Sequence, residues 1–286
     1  MKIVTLTTCH SRRNKTLRSL EGLHSQELPK DIKLVHVLVD DGSTDDTSRA
    51  VSERFPDVEI IHGNGNLYWA GGMRFGWEQS VSHKSFDYLF VYNDDVEFFS
   101  DALKRLIDVG QAYETNQDAL SYVVVGSCQS KIDYSTTYGG QVRNSRVNPL
   151  SFKRADPPSD GYLFLDTLNM NCALISHTAL EATNFLAPYF THGGADFEFG
   201  LRLRDNRGSV ILAPGYFGYC ERNPSAPIEA LSLSDYFKMA TTPKRSPPYI
   251  SFRYQKSYGG IFWFYFFLRN YITIVALKLL LKGKWF

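Results

Sequence analysis

Cysteine is scarce in this sequence, with four residues in 286, and the four lie far apart in the chain. Cys9, Cys128, Cys172 and Cys220 form no C-x-x-C pair and no spacing typical of a metal site. This excludes a disulfide-rich or zinc-finger class and predicts buried, reduced thiols in a cytoplasmic protein. The opening residues, MKIVTLTTCH, become polar too early for a signal peptide, which favours the same compartment.

Long uncharged apolar runs are also missing from the most apolar segment, IFWFYFFLRNYITIVALKLLLKGKWF (261–286). Arg269, Asn270 and Lys278 interrupt it, so a membrane-spanning helix is not predicted. Acidic residues are absent from 236–286, which carries nine Lys and Arg, whereas the preceding residues have a net charge of −8. An aromatic, basic helix predicts peripheral contact with an anionic membrane, or packing on the protein body or in a homodimer interface. No nucleic-acid partner is expected, because the charge accompanies a hydrophobic helix.

Two phosphate-binding motifs are lacking. The stretch GNGNLYWAGGMRFGWE (63–78) is rich in glycine, so its backbone could approach a ligand closely. It contains neither the GK[ST] ending of a P-loop nor the full G-x-G-x-x-G pattern. A nucleoside triphosphatase or a dinucleotide enzyme is therefore not indicated.

The first hundred residues alternate strand-like and helix-like segments. Strands are predicted at 2–8, 33–41, 58–63 and within FDYLFVYNDDVEFF (86–99), and helices at 12–23, 43–55 and 70–81. Ser43 is expected to cap the second helix, with Asp46 in its first turn. Such alternation predicts an α/β fold with a doubly wound, mostly parallel sheet and helices on both faces.

Polar residues follow the ends of three of these strands. Thr7 and Thr8 end the first strand, Asp40 and Asp41 end the second, and Asn93–Asp95 follow the fourth. Because ligands bind at the carboxyl ends of parallel strands, we expect these residues along one rim. Adjacent carboxylates repel each other unless a cation neutralises them, and Mg²⁺ or Mn²⁺ prefers such oxygen ligands. A solvated turn is the alternative.

The second half of the chain is less regular. A strand is predicted at 122–128, an elaborated loop or hairpin at 138–161, and apolar structure resumes at 162–176. We expect a catalytic domain at 1–235, divided into halves at 1–120 and 121–235, and a helical tail at 236–286.

The segment THGGADFEFGLRLR (191–204) has two interpretations. Its apolar residues fit either an alternating strand or a helix opened by the Gly-Gly turn. In a helix, Asp196 would stand at the first turn, either as a dipole-stabilising cap or as a general base.

Five segments in register resemble glycosyltransferase family 2, the nucleotide-sugar enzymes of the GT-A fold. They are VDDGSTDDT, GNGNLYWAGGMRFGWE, YNDDVEF, LNMNCALIS and GGADFEFGLRLR with a following APG. The resemblance covers about residues 2 to 220. It implies a GT-A-like sheet with a C-terminal helical extension. It also implies an inverting, metal-dependent transfer of a hexosyl or deoxyhexosyl unit from a nucleoside-diphosphate sugar.

The implied acceptor is a hydroxyl of a glycan or lipid-linked glycan, as in surface-polysaccharide assembly at the cytoplasmic face of the membrane. The implied cofactor is Mg²⁺ or Mn²⁺, and the donor sugar and nucleotide stay open. Two other functions remain. A nucleotidyltransferase would need a glycine-bearing loop after the first strand, which TTCHSRRNKT lacks. A non-catalytic glycan-binding module would leave the acidic sites without a role.

The resemblance assigns roles to individual residues. It makes Asp196 the catalytic base, with Glu198 as the alternative, because Ala195 stands where many relatives carry an acid. Asp95 would hold the metal ion and Asp94 would touch the ribose. The remaining nucleotide contacts would be Thr7, Thr8, Arg12, Asp40, Asp41, Trp69, Gly71, Gly72, Met73 and Asn93. The acceptor side would include Asn169, Asn171, His192 and Glu198.

Overall fold

The computed structural model describes residues 1–117, 119–222, 247–269 and 272. Its strands are β1 (Lys2–Cys9), β2 (Lys33–Asp40), β3 (Glu59–His62), β4 (Tyr88–Tyr92), β5 (Glu97–Phe98), β6 (Tyr122–Gln129), β7 (Thr136–Tyr138), β8 (Gly140–Arg143), β9 (Phe152–Arg154), β10 (Leu163–Phe164), β11 (Thr167–Leu168), β12 (Cys172–Ser176) and β13 (Ser209–Tyr219). Its helices are α1 (Arg13–His24), α2 (Thr47–Arg54), α3 (Tyr68–Gln79), a 3₁₀ turn (Val81–His83), α4 (Ala102–Gln117), α5 (His177–Thr183), α6 (Ala195–Asp205) and α7 (Pro248–Tyr258). Residues 263–269 are also helical.

A ten-stranded mixed sheet forms the centre of the described structure, with the main strand order β10-β13-β6-β12-β4-β1-β2-β3. The strands β3, β2, β1 and β4 are parallel, which confirms the βαβ units predicted for the first hundred residues. β12 inserts antiparallel between β4 and β6, while β6 and β13 are parallel. The sheet is therefore less uniformly parallel in its second half.

Helices cover both faces of the sheet, as predicted. Alternate side chains of β4 show this: Leu89 and Val91 belong to the cluster that contains core residues of α3, α5 and α6. Phe90 and Tyr92 belong to the opposite cluster, with residues of α4. A strand buried on both faces has no polar alternation, which explains the continuous apolar run YLFVY.

The second helix begins four residues later than predicted. Asp46, with φ 60°, is the residue before α2, and Ser43 lies in the preceding loop. The Ser43 hydroxyl accepts a hydrogen bond from the Ser11 backbone N–H at 2.8 Å, so it is engaged by the β1–α1 loop. The expected cap is wrong because a contact distant in sequence takes its acceptor.

Two ambiguous segments are resolved. The segment containing Asp196 is the helix α6 and not a strand. Within 138–161, β8 and β9 form a hairpin that pairs with β11 in a separate three-stranded sheet. The predicted hairpin is confirmed.

The predicted tail is only partly described. The boundary expected at residue 235, and residues 270, 271 and 273–286, lie outside the described residues. In the described part, α7 places Ile250 in the core cluster beneath the sheet. Among the described helices none is long and apolar enough to cross a membrane.

Candidate active site

A cavity of about 970 Å³ lies at the edge where β1, β2 and β4 end. The structure brings eleven of the predicted site residues into its wall: Thr8, Arg12, Asp41, Trp69, Asn93, Asp94, Asp95, Asn169, Asn171, His192 and Asp196. It does not bring in Thr7, Asp40, Gly71, Gly72, Met73 or Glu198, all of which are described residues. The rim expected from parallel strand ends therefore exists.

Hydrogen bonds between side chains and backbone groups join the loops after β1 and β2. His10 Nδ1 donates to the carbonyl oxygen of Asp41 at 2.5 Å. The backbone N–H of Arg13 donates to Asp45 at 2.9 Å. These contacts fix the start of α1 against the second loop, and Arg12 is positioned at that junction.

Asp40 and Asp41 organise the rim through hydrogen bonds to the protein, and Asp41 also lines the cavity. Asp40 is buried and accepts from the Ser43 backbone at 2.9 Å and from the Ser48 hydroxyl. The Asp41 carboxylate accepts three backbone N–H groups of the glycine-rich segment, at residues 65, 67 and 68, at 2.8 to 3.1 Å. A carboxylate with its lone pairs so engaged has little capacity left for a ligand.

Gly71, Gly72 and Met73, expected to border the donor, lie inside α3 and outside the cavity wall. Met73 is fully buried in the core. A Cβ at Gly72 would lie 2.4 Å from Thr8 Oγ1, so glycine there allows α3 to approach β1. Thr7 is also fully buried. The helix begins at Tyr68, earlier than predicted, so both glycines lie within the helix and not in a loop before it.

The acidic pair after β4 faces two cations. Arg12 contacts Asp94 at 2.7 Å and Asp95 at 3.2 Å, and Lys15 lies 3.6 Å from Asp95. Burial raises the pKa of Asp94 to about 6, and Asp95 adds to this while Arg12 opposes it. Asn93 lines the cavity, and its Oδ1 is buried with no hydrogen-bond partner among the described residues. This wall therefore offers carboxylate oxygens, a guanidinium and an unsatisfied acceptor to a ligand.

Asp196 lines the same cavity as the acidic pair and lies in the first turn of α6. Gly194, with φ 86°, precedes α6 and lets the chain turn so that Asp196 falls in its first turn. Asp196 accepts from the Phe197 backbone N–H at 2.9 Å and from Asn169 Nδ2 at 3.2 Å. Burial raises its pKa to about 6 although these hydrogen bonds lower it. The group is therefore mostly ionised at neutral pH and more basic than an exposed aspartate.

Glu198, expected at the acceptor side, lies outside the cavity wall and makes contacts within the protein. Its side chain is buried and binds Arg202 through two contacts, at 2.8 and 2.9 Å. The Tyr258 hydroxyl donates to the same carboxylate at 3.1 Å. Glu198 therefore joins α6 to α7, and of the two acids in this turn only Asp196 reaches the cavity.

His192 and Asn171 complete the predicted set. His192 Nδ1 accepts from the Trp69 backbone N–H at 3.4 Å, which joins the start of α3 to the turn before α6. Asn171 Nδ2 donates to Cys220 Sγ at 3.7 Å, and that thiol contacts Asp95 at 3.4 Å.

Sequence reasoning missed several cavity residues, among them His10, Tyr68, Tyr138 and Phe197. His10 follows β1 directly, so the rim argument could have included it. The positive φ of Tyr68, 56°, has no sequence signal. Tyr138 and Phe197 reach the cavity through the small sheet and α6, whose placement depends on long-range packing.

Comparison with known proteins identifies the family. The model named Glycosyl transferase family 2 matches residues 5–167. The chain belongs to glycosyltransferase family 2. The family assignment expected from the sequence is thereby confirmed.

One solved structure supports the GT-A-like fold. The crystal structure of S. aureus TarS has 13% identity and a TM-score of 0.54, over 88% of this chain and 39% of that one. A structure of S. aureus TarS 1-349 has 15% identity and a TM-score of 0.49, over 77% and 60%. This chain thus spans 39% of the length of the first. No curated protein matched the sequence.

The donor set of this cavity fits a divalent ion. Mg²⁺ in proteins is commonly held by one or two carboxylates together with substrate phosphates. Asp95 and Asp94 supply such oxygens in the cavity wall. Among the described residues, the three-ligand group found is His24, His36 and Asp57, which does not line the cavity. The cavity therefore suits an ion completed by a diphosphate.

Proposed function

We propose that this glycosyltransferase inverts configuration and is metal-dependent, moving a sugar from a nucleoside-diphosphate donor to a hydroxyl of a glycan or lipid-linked glycan. The observation that carries this proposal is the presence of Asp94, Asp95 and Asp196 in the wall of one cavity. The first pair suits the leaving diphosphate, and the third suits proton removal from an acceptor.

Arg12 and Lys15 support the donor side of the proposal. Both cations lie against the acidic pair, so an incoming diphosphate would meet positive charge and hydrogen-bond donors. Asp95 would hold Mg²⁺ or Mn²⁺ beside the diphosphate, and the bound ion would stabilise negative charge on the leaving group. The Asn93 Oδ1 atom would accept from a nucleotide N–H or hydroxyl.

Asp196 acts as general base in the proposed reaction. It takes the proton of the acceptor hydroxyl as that oxygen forms its bond to the anomeric carbon. The bond from that carbon to the diphosphate oxygen breaks, and the nucleoside diphosphate leaves with the electron pair. Attack from the face opposite the leaving group inverts the anomeric configuration. Asn169 holds the base in orientation through its 3.2 Å hydrogen bond.

The test combines binding, turnover and stereochemistry. Calorimetry with UDP, dTDP and GDP, each with and without Mn²⁺, should find one nucleotide whose binding needs the metal and is lost in Asp95→Ala. With the matching donor sugar, Asp196→Asn should lower kcat by about 10²- to 10⁴-fold and leave nucleotide affinity unchanged. Asp205→Asn, on the exposed end of α6, is the matched control.

Proton NMR of the product would give the anomeric configuration. A retained configuration, or undiminished turnover by Asp196→Asn, would overturn the proposed mechanism.

Peripheral membrane contact belongs to the same proposal. The described residues between α7 and 269 expose a group of large apolar side chains, which we call the tail patch: Ile261, Phe262, Phe264, Tyr265 and Leu268. Arg253, Lys256 and Arg269 flank it in the chain, and no acid occurs in 236–286. Such a surface suits an anionic membrane carrying a lipid-linked acceptor, as surface-polysaccharide assembly would require.

A further inference from the structure

A second groove of about 350 Å³ adjoins the cavity on the side of Asp196. Its walls are Thr137, Tyr138, Gln141, Arg154, Asn169, Phe197 and Arg222. Tyr138, Asn169 and Phe197 also line the main cavity, so the two spaces share a wall. The groove is thus continuous with the place where an acceptor hydroxyl would meet Asp196.

Two guanidinium groups converge in this groove, and neither has an acidic partner in the part of the chain that the structure describes. Arg154 Nη1 and Arg222 Nε donate to the same oxygen, the carbonyl of Thr137, at 3.0 and 3.2 Å. Neither has a carboxylate oxygen within 4.0 Å among residues 1–117, 119–222, 247–269 and 272. Like charges held together at one acceptor repel each other, so an anion placed between them would be stabilised.

An unsatisfied donor strengthens this argument. The Nε–H of Arg154 is buried and has no acceptor among the described residues. A buried donor without a partner costs about 1 to 3 kcal/mol, more when charged, so a ligand oxygen would relieve that cost. The nearby acids are engaged elsewhere: Asp156 accepts from Thr136 at 2.7 Å, and Glu221 accepts from the Lys131 backbone at 2.6 Å.

A hydrogen-bonded path joins the groove to the base. Gln141 Nε2 donates to Asn169 Oδ1 at 2.9 Å, and Asn169 Nδ2 donates to Asp196 at 3.2 Å. The rings of Tyr138 and Phe197 add apolar surface of the kind that packs on a sugar face. A molecule seated between the arginines would therefore lie beside the reacting centre.

We infer that Arg154 and Arg222 bind an anionic group of the acceptor, a phosphodiester or a carboxylate next to the sugar unit that receives the transferred residue. This inference rests on the proposed function and specifies its acceptor class. A neutral acceptor glycan would leave both guanidinium groups and the buried Nε–H without counter-charge.

The experiment uses the full chain labelled with ¹⁵N-arginine, whose Nε–H signals report each guanidinium separately. Loss of a signal in Arg12→Gln, Arg154→Gln or Arg222→Gln assigns it. The probes are glycerol 3-phosphate and glucuronate, with glycerol and glucose as uncharged counterparts. UDP, dTDP and GDP with Mn²⁺ are titrated in a separate series.

At least one of the two anions should shift the Arg154 signal saturably, and neither uncharged probe should do so. Replacing Arg222 by Gln should weaken that binding at least about tenfold, since it removes a charged hydrogen bond. Arg207→Gln, an exposed arginine after α6, should leave it unchanged. A response to glycerol 3-phosphate alone would identify a phosphodiester acceptor, and a response to glucuronate alone a uronate.

The inference is overturned if neither anion shifts the Arg154 signal, or if Arg222→Gln binds as tightly as wild type. The proposed function fails separately, if no nucleotide shifts the Arg12 signal. The two results are distinguishable because each arginine reports its own site.

Discussion

Two acids in the first turn of α6 have opposite environments although they stand two residues apart. The Asp196 side chain lines the cavity, whereas the Glu198 carboxylate accepts hydrogen bonds from Arg202 and Tyr258. In a helix, positions i and i+2 point in different directions, so a shift of two residues changes the face completely. Helix geometry therefore places only one of the two candidate bases in the cavity wall.

The raised pKa of Asp196 predicts an acidic limit to activity. If its ionised form is the base, kcat/KM should be half-maximal near pH 6 and fall about tenfold for each pH unit below that. Initial rates between pH 4.5 and 8 measure this. A limb near pH 4 would mean that the base is a solvated carboxylate.

The same shift has a consequence for stability. The folded-state pKa lies above the ordinary value of 3.8, so the folded protein binds this proton more tightly than the unfolded chain. This stabilising contribution is complete below pH 3.8 and is lost as the pH rises through 6. Comparing the free energy of unfolding of wild type and Asp196→Asn across this window isolates it.

Glu198→Ala should affect stability more than turnover. Removing one partner of a buried ion pair leaves Arg202 uncompensated, so the free energy of unfolding should fall by about 3 to 5 kcal/mol. Chemical denaturation measures this, with Asp205→Ala as the exposed control. The folded fraction should keep its kcat, and a loss of turnover without a loss of stability would return Glu198 to candidacy as the base.

At the scale of elements, α3 and the segment before it are held in place for the site. Asp41 gathers the backbone of residues 65–68 and sets where α3 begins. The helix then packs on β1 through Gly72, beside Thr8 in the cavity wall. The glycine-rich segment thus shapes the cavity through packing.

Adjacent glycines of α3 provide a matched pair of variants. In Gly72→Ala the new Cβ would lie 2.4 Å from Thr8 Oγ1 and 3.0 Å from Thr8 Cβ, so the free energy of unfolding should fall by about 1 to 3 kcal/mol. In Gly71→Ala the nearest atom to the new Cβ would be Leu67 Cβ at 3.6 Å, and the change should be neutral or stabilising by up to about 1 kcal/mol. Thermal denaturation of both variants makes the comparison. Equal effects would contradict close packing at Gly72.

At the scale of the whole molecule, the described structure has a cavity at one edge of the sheet and an exposed apolar tail patch. Ile261 is 94% exposed and Tyr265 61%, unusual values for side chains of this size in a soluble protein. The patch follows α7, whose Ile250 is buried in the core that also holds residues of α6. A membrane bound at the patch would be connected through α7 to the core that contains residues of α6.

Vesicle sedimentation should test this patch. Wild type should pellet with phosphatidylglycerol vesicles but not with phosphatidylcholine vesicles, and added salt should weaken binding, since each basic residue near the surface adds about 1 kcal/mol. The double variant Phe262→Ser, Phe264→Ser should lose binding. The control Ile132→Ser, Tyr134→Ser removes exposed apolar groups from the body and should bind normally. Equal sedimentation of the two double variants would contradict the proposal.

The sequence by itself determined the parallel half of the sheet, because buried strands such as YLFVY and amphipathic helices leave patterns within a few residues. It also determined the rim, since polar residues at the ends of parallel strands must share an edge. Family resemblance indicated Asp95 and Asp196 as site residues, and the structure places both in the cavity wall.

Only the tertiary structure decided which polar residues face the cavity. Asp40 and Gly72 lie in segments expected to form the binding site, yet neither lines the cavity, and they contact Ser48 and Thr8 instead. The convergence of Arg154 and Arg222 on one carbonyl likewise joins residues 68 positions apart. Local patterns cannot specify such contacts, because the direction and partners of a side chain depend on how distant segments pack.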